Sequence, residues 1–239
     1  MIMARSLLYH ALYGIWAFLM CFAFLPSLIL PFWASDFISN FWSRSLFFLL
    51  RMICGLTYRI EGLEHISKSP VIYASKHQSV WDTLLFPLQI ERSAIVLKKE
   101  LFLLPFFGWY AKKYGAIGID RSAGASAIRQ LIKEARKSVA VGRPIVIFPE
   151  GTRLPPGEKG EYQSGVAALY KDLKIPVVPV ALNSGMYWPK RKLIRRPGVI
   201  TMRFLPPIPP GLPRKEFMER LETEIEAAQN EICTKYYGK

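Results

Sequence analysis

From Leu7 to Trp33 the chain reads LLYHALYGIWAFLMCFAFLPSLILPFW, without one Asp, Glu, Lys or Arg. A helix needs about 20 apolar residues to cross a bilayer core, so this run is long enough to enter one, and a charge-free stretch of this length is rare in soluble cores. His10, Pro26 and Pro31 lie inside it and suit a kinked or shallowly inserted segment as well as a straight span. A signal peptide fits badly, because the apolar stretch is too long and no small-x-small cleavage site follows. The next segment, Ala34 to Gly55, sets Trp42, Leu46, Phe47, Phe48 and Leu49 against Arg44 and Arg51, as an amphipathic or second embedded helix would. Trp16, Trp33 and Trp42 fall in this first quarter, where indole rings can anchor at a lipid–water interface. Residues 1–55 are therefore expected to form a hydrophobic helical hairpin at a membrane; the competing reading is a hairpin buried inside a soluble protein.

Beyond it, residues 56–239 carry short β-type runs alternating with helical ones. VIYA (71–74), AIVL (94–97), AIGI (116–119), PIVIF (144–148), VVPVAL (177–182) and VITMRF (199–204) read as buried strands. Residues 122–141 put Ile128, Leu131, Ile132, Ala135 and Val139 on one helical face, with Gly142 as C-cap. Residues 164–173 and 214–235 also read as helices, and Pro206–Pro213 as a rigid connector. Strand–helix alternation predicts an α/β domain with a largely parallel central sheet flanked by helices. Functional residues of such sheets gather on loops beyond the strands' carboxyl ends.

Charge narrows the chemistry. There are 32 Lys+Arg against 18 Asp+Glu, a formal net charge of +14, in a chain that is 51% hydrophobic. Basic surfaces seek phosphates; apolar surface in addition points to lipid, and no recognition motif supports nucleic acid. Cys21, Cys54 and Cys233 form no CxxC pair, which excludes a disulfide framework and suits a reducing, cytosol-facing compartment. No GxxxxGK[ST], GxGxxG or GxSxG occurs, and His10, His65 and His77 are too scattered for a HExxH-type site, so no metal is expected. Lys190, Arg191, Lys192, Arg195 and Arg196 follow Tyr187-Trp188. This is a solvated charge run, a dock for an acidic carrier protein, or a dock for anionic lipid, at about 1 kcal/mol per basic residue.

Two constellations carry candidate chemistry. His77-Gln-Ser-Val-Trp-Asp82 follows the strand VIYAS, and Ser79 with Asp82 three residues later has the spacing of a capping box. That places Asp82 in the first helical turn, within reach of His77. A carboxylate orienting an imidazole is what a hydroxyl-activating base requires; a cap beside a turn histidine satisfies the same spacing. PIVIFPEGTR (144–153) runs a strand into a turn bearing Glu150, Gly151, Thr152 and Arg153. Arg suits bidentate capture of phosphate, though an ordinary loop with an exposed ion pair reads the same.

HQSVWD followed by FPEGTR resembles the glycerolipid acyltransferases, most closely the 1-acyl-sn-glycerol-3-phosphate (lysophosphatidate) acyltransferases. GAIGIDR (115–121), IPVVPVAL (175–182) with Pro179, and LKKEL before Pro105 and Gly108 match further blocks in the right order, from Gly62 to Asn183. Lys76 departs from the Asn that the family often has before the His; it adds charge beside the base and leaves the HX4D spacing whole. The resemblance implies that His77, oriented by Asp82, deprotonates the sn-2 hydroxyl, which attacks an acyl thioester directly, with no cofactor, metal or covalent acyl-enzyme. It assigns Glu150, Gly151, Thr152 and Arg153 to the glycerol phosphate, with Arg121 and Lys99 as further basic candidates for the phosphate pocket. The implied partners are lysophosphatidate, an acyl-CoA or acyl carrier protein donor, and membrane lipids, at the cytoplasmic face of a bacterial inner membrane. An acyltransferase for another lyso-lipid, such as lyso-ornithine lipid, and an inactive lipid-binding protein are the alternatives.

Overall fold

The computed structural model describes residues 1–237. The apolar run folds as α1 (Ile2–Ala23), a 3-10 turn at Leu25–Leu28, and α2 (Phe32–Leu49), which continues through a π-helical turn, Leu50–Cys54, and stops at Gly55. Pro26 opens the 3-10 turn and Pro31 precedes α2. Their fixed φ and missing N–H cost nothing at a helix start, so the prolines divide two helices and kink neither. Among the described residues, α1 is the one helix long and apolar enough to cross a membrane, by length and composition. Leu8, Ile15, Phe18 and Leu19 of α1 and Phe37, Phe41 and Phe48 of α2 face outward, whereas Tyr9, Leu46, Phe47 and Leu50 are buried in the core under the sheet. The hairpin is thus packed onto the α/β unit through its inner face. Of its three tryptophans Trp33 alone is exposed; Trp16 donates to Ser45 Oγ (2.8 Å) and Trp42 meets Tyr13 edge-on.

The remaining elements are β1 (Leu56–Glu61), β2 (Ile72–Ser75), α3 (Val80–Gln89), β3 (Ala94–Lys98), α4 (Phe107–Tyr114), β4 (Ile117–Ile119), α5 (Gly124–Ala140), β5 (Ile145–Ile147), α6 (Ser164–Leu173), β6 (Val177–Leu182), a single turn α7 (Ser184–Tyr187), β7 (Gly198–Phe204) and α8 (Arg214–Tyr237). They build a seven-stranded sheet of order β1-β7-β6-β2-β5-β3-β4. The five strands from β6 to β4 are parallel; β7 joins β6 antiparallel and β1 joins β7 in parallel. The α/β architecture and mostly parallel sheet expected from the pattern are present.

Three local readings change. β1 was absent from the expected strands because LTYRIE buries only Leu56; an edge strand lacks the continuous apolar run by which central parallel strands announce themselves. The α5 face is rotated, with Ala127, Leu131, Ala135 and Ser138 buried and Ile128, Ile132 and Val139 at its margin. Gly142 (φ 77°) stands one residue past the cap Val141, donating to Val139 O while Arg143 N donates to Ser138 O, a Schellman closure. The Pro206–Pro213 connector also docks on the sheet, since Ile208 bridges Val177.

The pleat sorts the core into two layers. Val71, Tyr73 and Val146 pack toward α2 and α3, while Ile72, Ala74, Ile145 and Ile147 pack toward α5, α6 and α8. Helix α8 is held there by Phe217, Leu221 and Ile225, all fully buried, with the Phe217 ring stacked on Tyr170 at 3.8 Å.

The outward apolar face of α1 contributes nothing to this core, which separates its role from folding. Replacing Leu8, Ile15 and Leu19 together by Ser should leave stability within about 0.5 kcal/mol per site while sharply reducing co-flotation with liposomes. Undiminished flotation would move the lipid-seeking surface elsewhere.

Candidate active site

The site grows from the carboxyl end of β2. Lys76 N–H still pairs with Val180 O (2.9 Å), so the sheet extends one residue past Ser75. Alternation then sends Lys76 to the side of α8 and His77 to the side of α3. Ser79 caps α3: its hydroxyl accepts from the first-turn backbone, and Asp82 reaches back to the Ser79 N–H, completing a capping box.

Asp82 is fully buried, and donors surround its carboxylate. Oδ2 accepts from the N–H groups of Gln78 (2.7 Å) and Ser79 (2.9 Å) and faces His77 Nδ1 at 3.1 Å. Oδ1 accepts from the Ser184 hydroxyl at 2.5 Å. Ser184 opens α7, directly beyond β6, and its segment is locked in place twice over. Gln78 Oε1 accepts from Gly185 N–H (3.0 Å), and Asn183 Oδ1 accepts from Thr201 N–H (2.8 Å). A side chain at Gly185 would press within 3.0 Å of Gln78 Cβ and 2.9 Å of Pro156 Cδ, so this approach requires glycine. The His77 side chain keeps 15% exposure, with one ring face stacked on Phe148 at 4.0 Å. An imidazole held at Nδ1 by a carboxylate presents Nε2 as its acceptor.

The 150–154 loop grips His77 by its backbone. Glu150 Oε2 accepts from His77 N–H (3.2 Å), and Leu154 N–H donates to His77 O (2.9 Å). Gly151 (φ 66°) supplies the left-handed turn between the two contacts. Glu150 is buried beneath the loop, its Oε1 2.5 Å from Lys76 Nζ. Burial pushes its carboxyl above the usual range, and Lys76 opposes that shift. Lys76, read from sequence as a charge beside the base, thus points away from the ring into an ion group of its own. Thr152 is exposed and Arg153 half-buried at the turn's outer side. Lys190 Nζ joins them, donating to Arg153 O (2.8 Å) and lying 3.3 Å from Thr152 Oγ1, with no carboxylate at ion-pair distance among the described residues.

The basic cluster therefore divides. Lys190 belongs to the loop at the site, while Arg195 is buried over the Trp188 ring (4.2 Å) and donates to Lys192 O and Ile194 O, its pKa pushed down to about 10 by burial. Arg191, Lys192 and Arg196 remain exposed. Lys99 and Arg121 lie past the ends of β3 and β4, with Lys99 Nζ 3.4 Å from Asp120 Oδ2. They share the carboxyl edge with His77 but stand two and three strands from β2, about 10 and 14 Å at the usual strand spacing. The structure brings together His77, Asp82 and Glu150 and sets Lys99 and Arg121 farther along the rim.

Ser184 was missed from sequence. It stands 102 residues from Asp82, and only its place directly after IPVVPVALN hints at a role. Beside α3 lies an apolar cavity of about 400 Å³ between the hairpin and β3, lined by Tyr13, Phe24, Trp42, Leu84, Leu97 and Tyr110 among others. Val80 and Thr83, in the same helical turn as Asp82, also border it.

Comparison with known proteins agrees with this geometry. Residues 57–183 match the family model described as Acyltransferase. The chain is 39% identical over 198 residues to the 1-acyl-sn-glycerol-3-phosphate acyltransferase of Pseudomonas aeruginosa, covering 82% of this chain and 77% of that one. Proteins of the same name from Cocos nucifera and Saccharomyces cerevisiae are 32% and 31% identical over 67% and 70% of this chain; the matches span 52% and 56% of those longer relatives. The crystal structure of a 1-acyl-sn-glycerophosphate (LPA) acyltransferase from Thermotoga maritima shares the fold, with a TM-score of 0.79 over 97% of both chains at 23% identity.

Removing the Ser184 hydroxyl leaves Asp82 Oδ1 buried without its donor. Ser184→Ala should lower the unfolding free energy by about 1.5–3 kcal/mol, the worth of a hydrogen bond to a charged group, seen as a lower urea midpoint at unchanged m-value.

Proposed function

The chain belongs to the acyltransferase family, and from that premise we propose that it transfers a fatty acyl group from an acyl thioester to the sn-2 hydroxyl of 1-acyl-glycerol-3-phosphate, giving phosphatidate. One observation carries the reading: the His77 Nδ1–Asp82 Oδ2 contact of 3.1 Å at the carboxyl edge of β2. It directs Nε2 to the acceptor hydroxyl. As that oxygen attacks the thioester carbonyl, its proton passes to Nε2, and Asp82 stabilises the imidazolium. The tetrahedral oxyanion collapses, the C–S bond breaks, and the thiol leaves with the proton from Nε2. Product, thiol and neutral base are restored together.

The acceptor phosphate is assigned to Thr152, Arg153 and Lys190, an outward-facing group whose Lys190 ammonium lacks a carboxylate partner among the described residues. Glu150 and Gly151 act from beneath by shaping the turn. Arg121 and Lys99, on the rim, are proposed to meet the anionic part of a longer ligand. Acyl-CoA or acyl carrier protein is the co-substrate, with no resident cofactor. The exposed apolar face of α1 and α2 supports seating at a membrane, where an amphiphilic acceptor is met without transfer into water; the cytoplasmic face suits a cytosolic thioester.

The test is purified protein with lysophosphatidate and a panel of acyl-CoA and acyl-carrier-protein donors, with phosphatidate followed by mass spectrometry. His77→Ala should abolish transfer with the fold intact. Asp82→Asn keeps an acceptor for the Gln78 and Ser79 N–H groups but loses the charge, so kcat should fall on the order of 10²–10⁴. Normal turnover by folded His77→Ala discards the mechanism.

Arg153→Lys keeps the charge and loses the planar fork. The acceptor KM should rise about tenfold, one charge-assisted hydrogen bond's worth, with the donor KM unchanged. A defect confined to the donor would place Arg153 on the thioester carrier instead.

A further inference from the structure

Below the site lies a buried ion group that the reaction itself does not use. Lys76 is 1% exposed, and its ammonium touches two carboxylates, Glu150 Oε1 at 2.5 Å and Glu226 Oε1 at 2.7 Å. The Glu158 carbonyl stands 3.4 Å from the same nitrogen, and the Tyr162 hydroxyl donates to Glu226 Oε1 at 3.1 Å. Lys159 and Glu222 pair with each other at the rim. One cation thus balances two anions from different parts of the chain. Glu150 sits on the loop after β5 and Glu226 on α8.

The group has a direction. Glu226 holds Lys76, Lys76 holds Glu150, and the other Glu150 oxygen accepts the His77 N–H at 3.2 Å. An unbroken hydrogen-bonded path therefore runs from the C-terminal helix to the backbone of the base. Its far end is fixed, because Phe217, Leu221 and Ile225 seat α8 against the sheet.

We propose that Lys76 and Glu226 form a clamp through which α8 sets the position of the His77 backbone, making both positioning residues for proton transfer. The inference rests on His77 being the base. Lys76 is the link that matters most. Without it, Glu150 loses the cation that keeps it aimed at the His77 N–H, and two buried carboxylates are left facing each other. Removing one member of a buried ion pair is strongly unfavourable for the partner left behind. Glu226 retains 18% side-chain exposure, and losing it still leaves Lys76 paired with Glu150 at 2.5 Å, so changes there disturb the fold less than loss of Lys76.

The experiment compares Lys76→Met, Glu226→Ala and Glu226→Gln in the full-length protein, each checked for folding by circular dichroism, with His77→Ala as the control. Lys76→Met should lower kcat about 100-fold, the effect of a small misplacement of a catalytic group, with both KM values held within about threefold. Glu226→Ala cuts the link to α8 and should lower kcat about tenfold, whereas Glu226→Gln, whose amide oxygen still accepts from Lys76, should restore most of it. If Lys76→Met does not fold, the two Glu226 variants decide the matter. Wild-type kcat in Glu226→Ala, or equal losses in Ala and Gln, overturns the clamp. Either result beside an inactive His77→Ala leaves the base in place; an active His77→Ala instead removes the reading on which the clamp depends.

Discussion

A carboxylate fully removed from water must find donors for its oxygens or give up its charge. Asp82 finds them in three places: two backbone N–H groups at the start of α3, the His77 ring, and the Ser184 hydroxyl. Much else follows from that requirement. The Ser79 cap fixes where α3 begins, the start of a helix is where a negative charge is welcome, and the end of β6 has to arrive beside the end of β2 to deliver Ser184. The spacing of His77 and Asp82 is the spacing of a capping box with the imidazole placed two residues before the cap.

Pleating supplies the second organising rule. Consecutive residues at a strand end face opposite layers, so Lys76 and His77 are adjacent in sequence and belong to different environments. One enters an ion group beside α8, the other a dyad beside α3. The 150–154 loop touches both, through the Glu150 side chain on one side and the Leu154 N–H on the other. The loop after β5 and the turn after β2 behave as one unit because β2 and β5 are neighbours in the sheet.

How much of this was legible in the sequence depended on how local the cause was. The central strands declared themselves as short β-branched runs, and α6 as a periodic stretch, because burial on both faces or on one stripe leaves a direct imprint. The Ser79–Asp82 box was legible because its partners are three residues apart. Strand β1 was hidden, since an edge position needs little apolar surface and LTYRIE shows little. The basic cluster at 190–196 looked uniform, yet Arg195 lies over the Trp188 ring and Lys190 reaches the Thr152–Arg153 turn; charge alone carries no address. Ser184 and Glu226 were illegible for the same reason at greater range, because each meets its partner across the sheet topology.

The stacking of His77 on Phe148, with ring centroids 4.0 Å apart and planes 22° from parallel, has a stereochemical consequence. One π-face of the imidazole is roofed by the phenyl ring, and Nδ1 is committed to Asp82. The lone pair of the remaining nitrogen lies in the ring plane, so a hydroxyl has to come in edgewise, along a corridor bounded on one side by Phe148. On the proposed reading, that corridor sets the plane in which the acceptor hydroxyl reaches Nε2, and a wall of hydrocarbon takes part in aligning it without touching a proton.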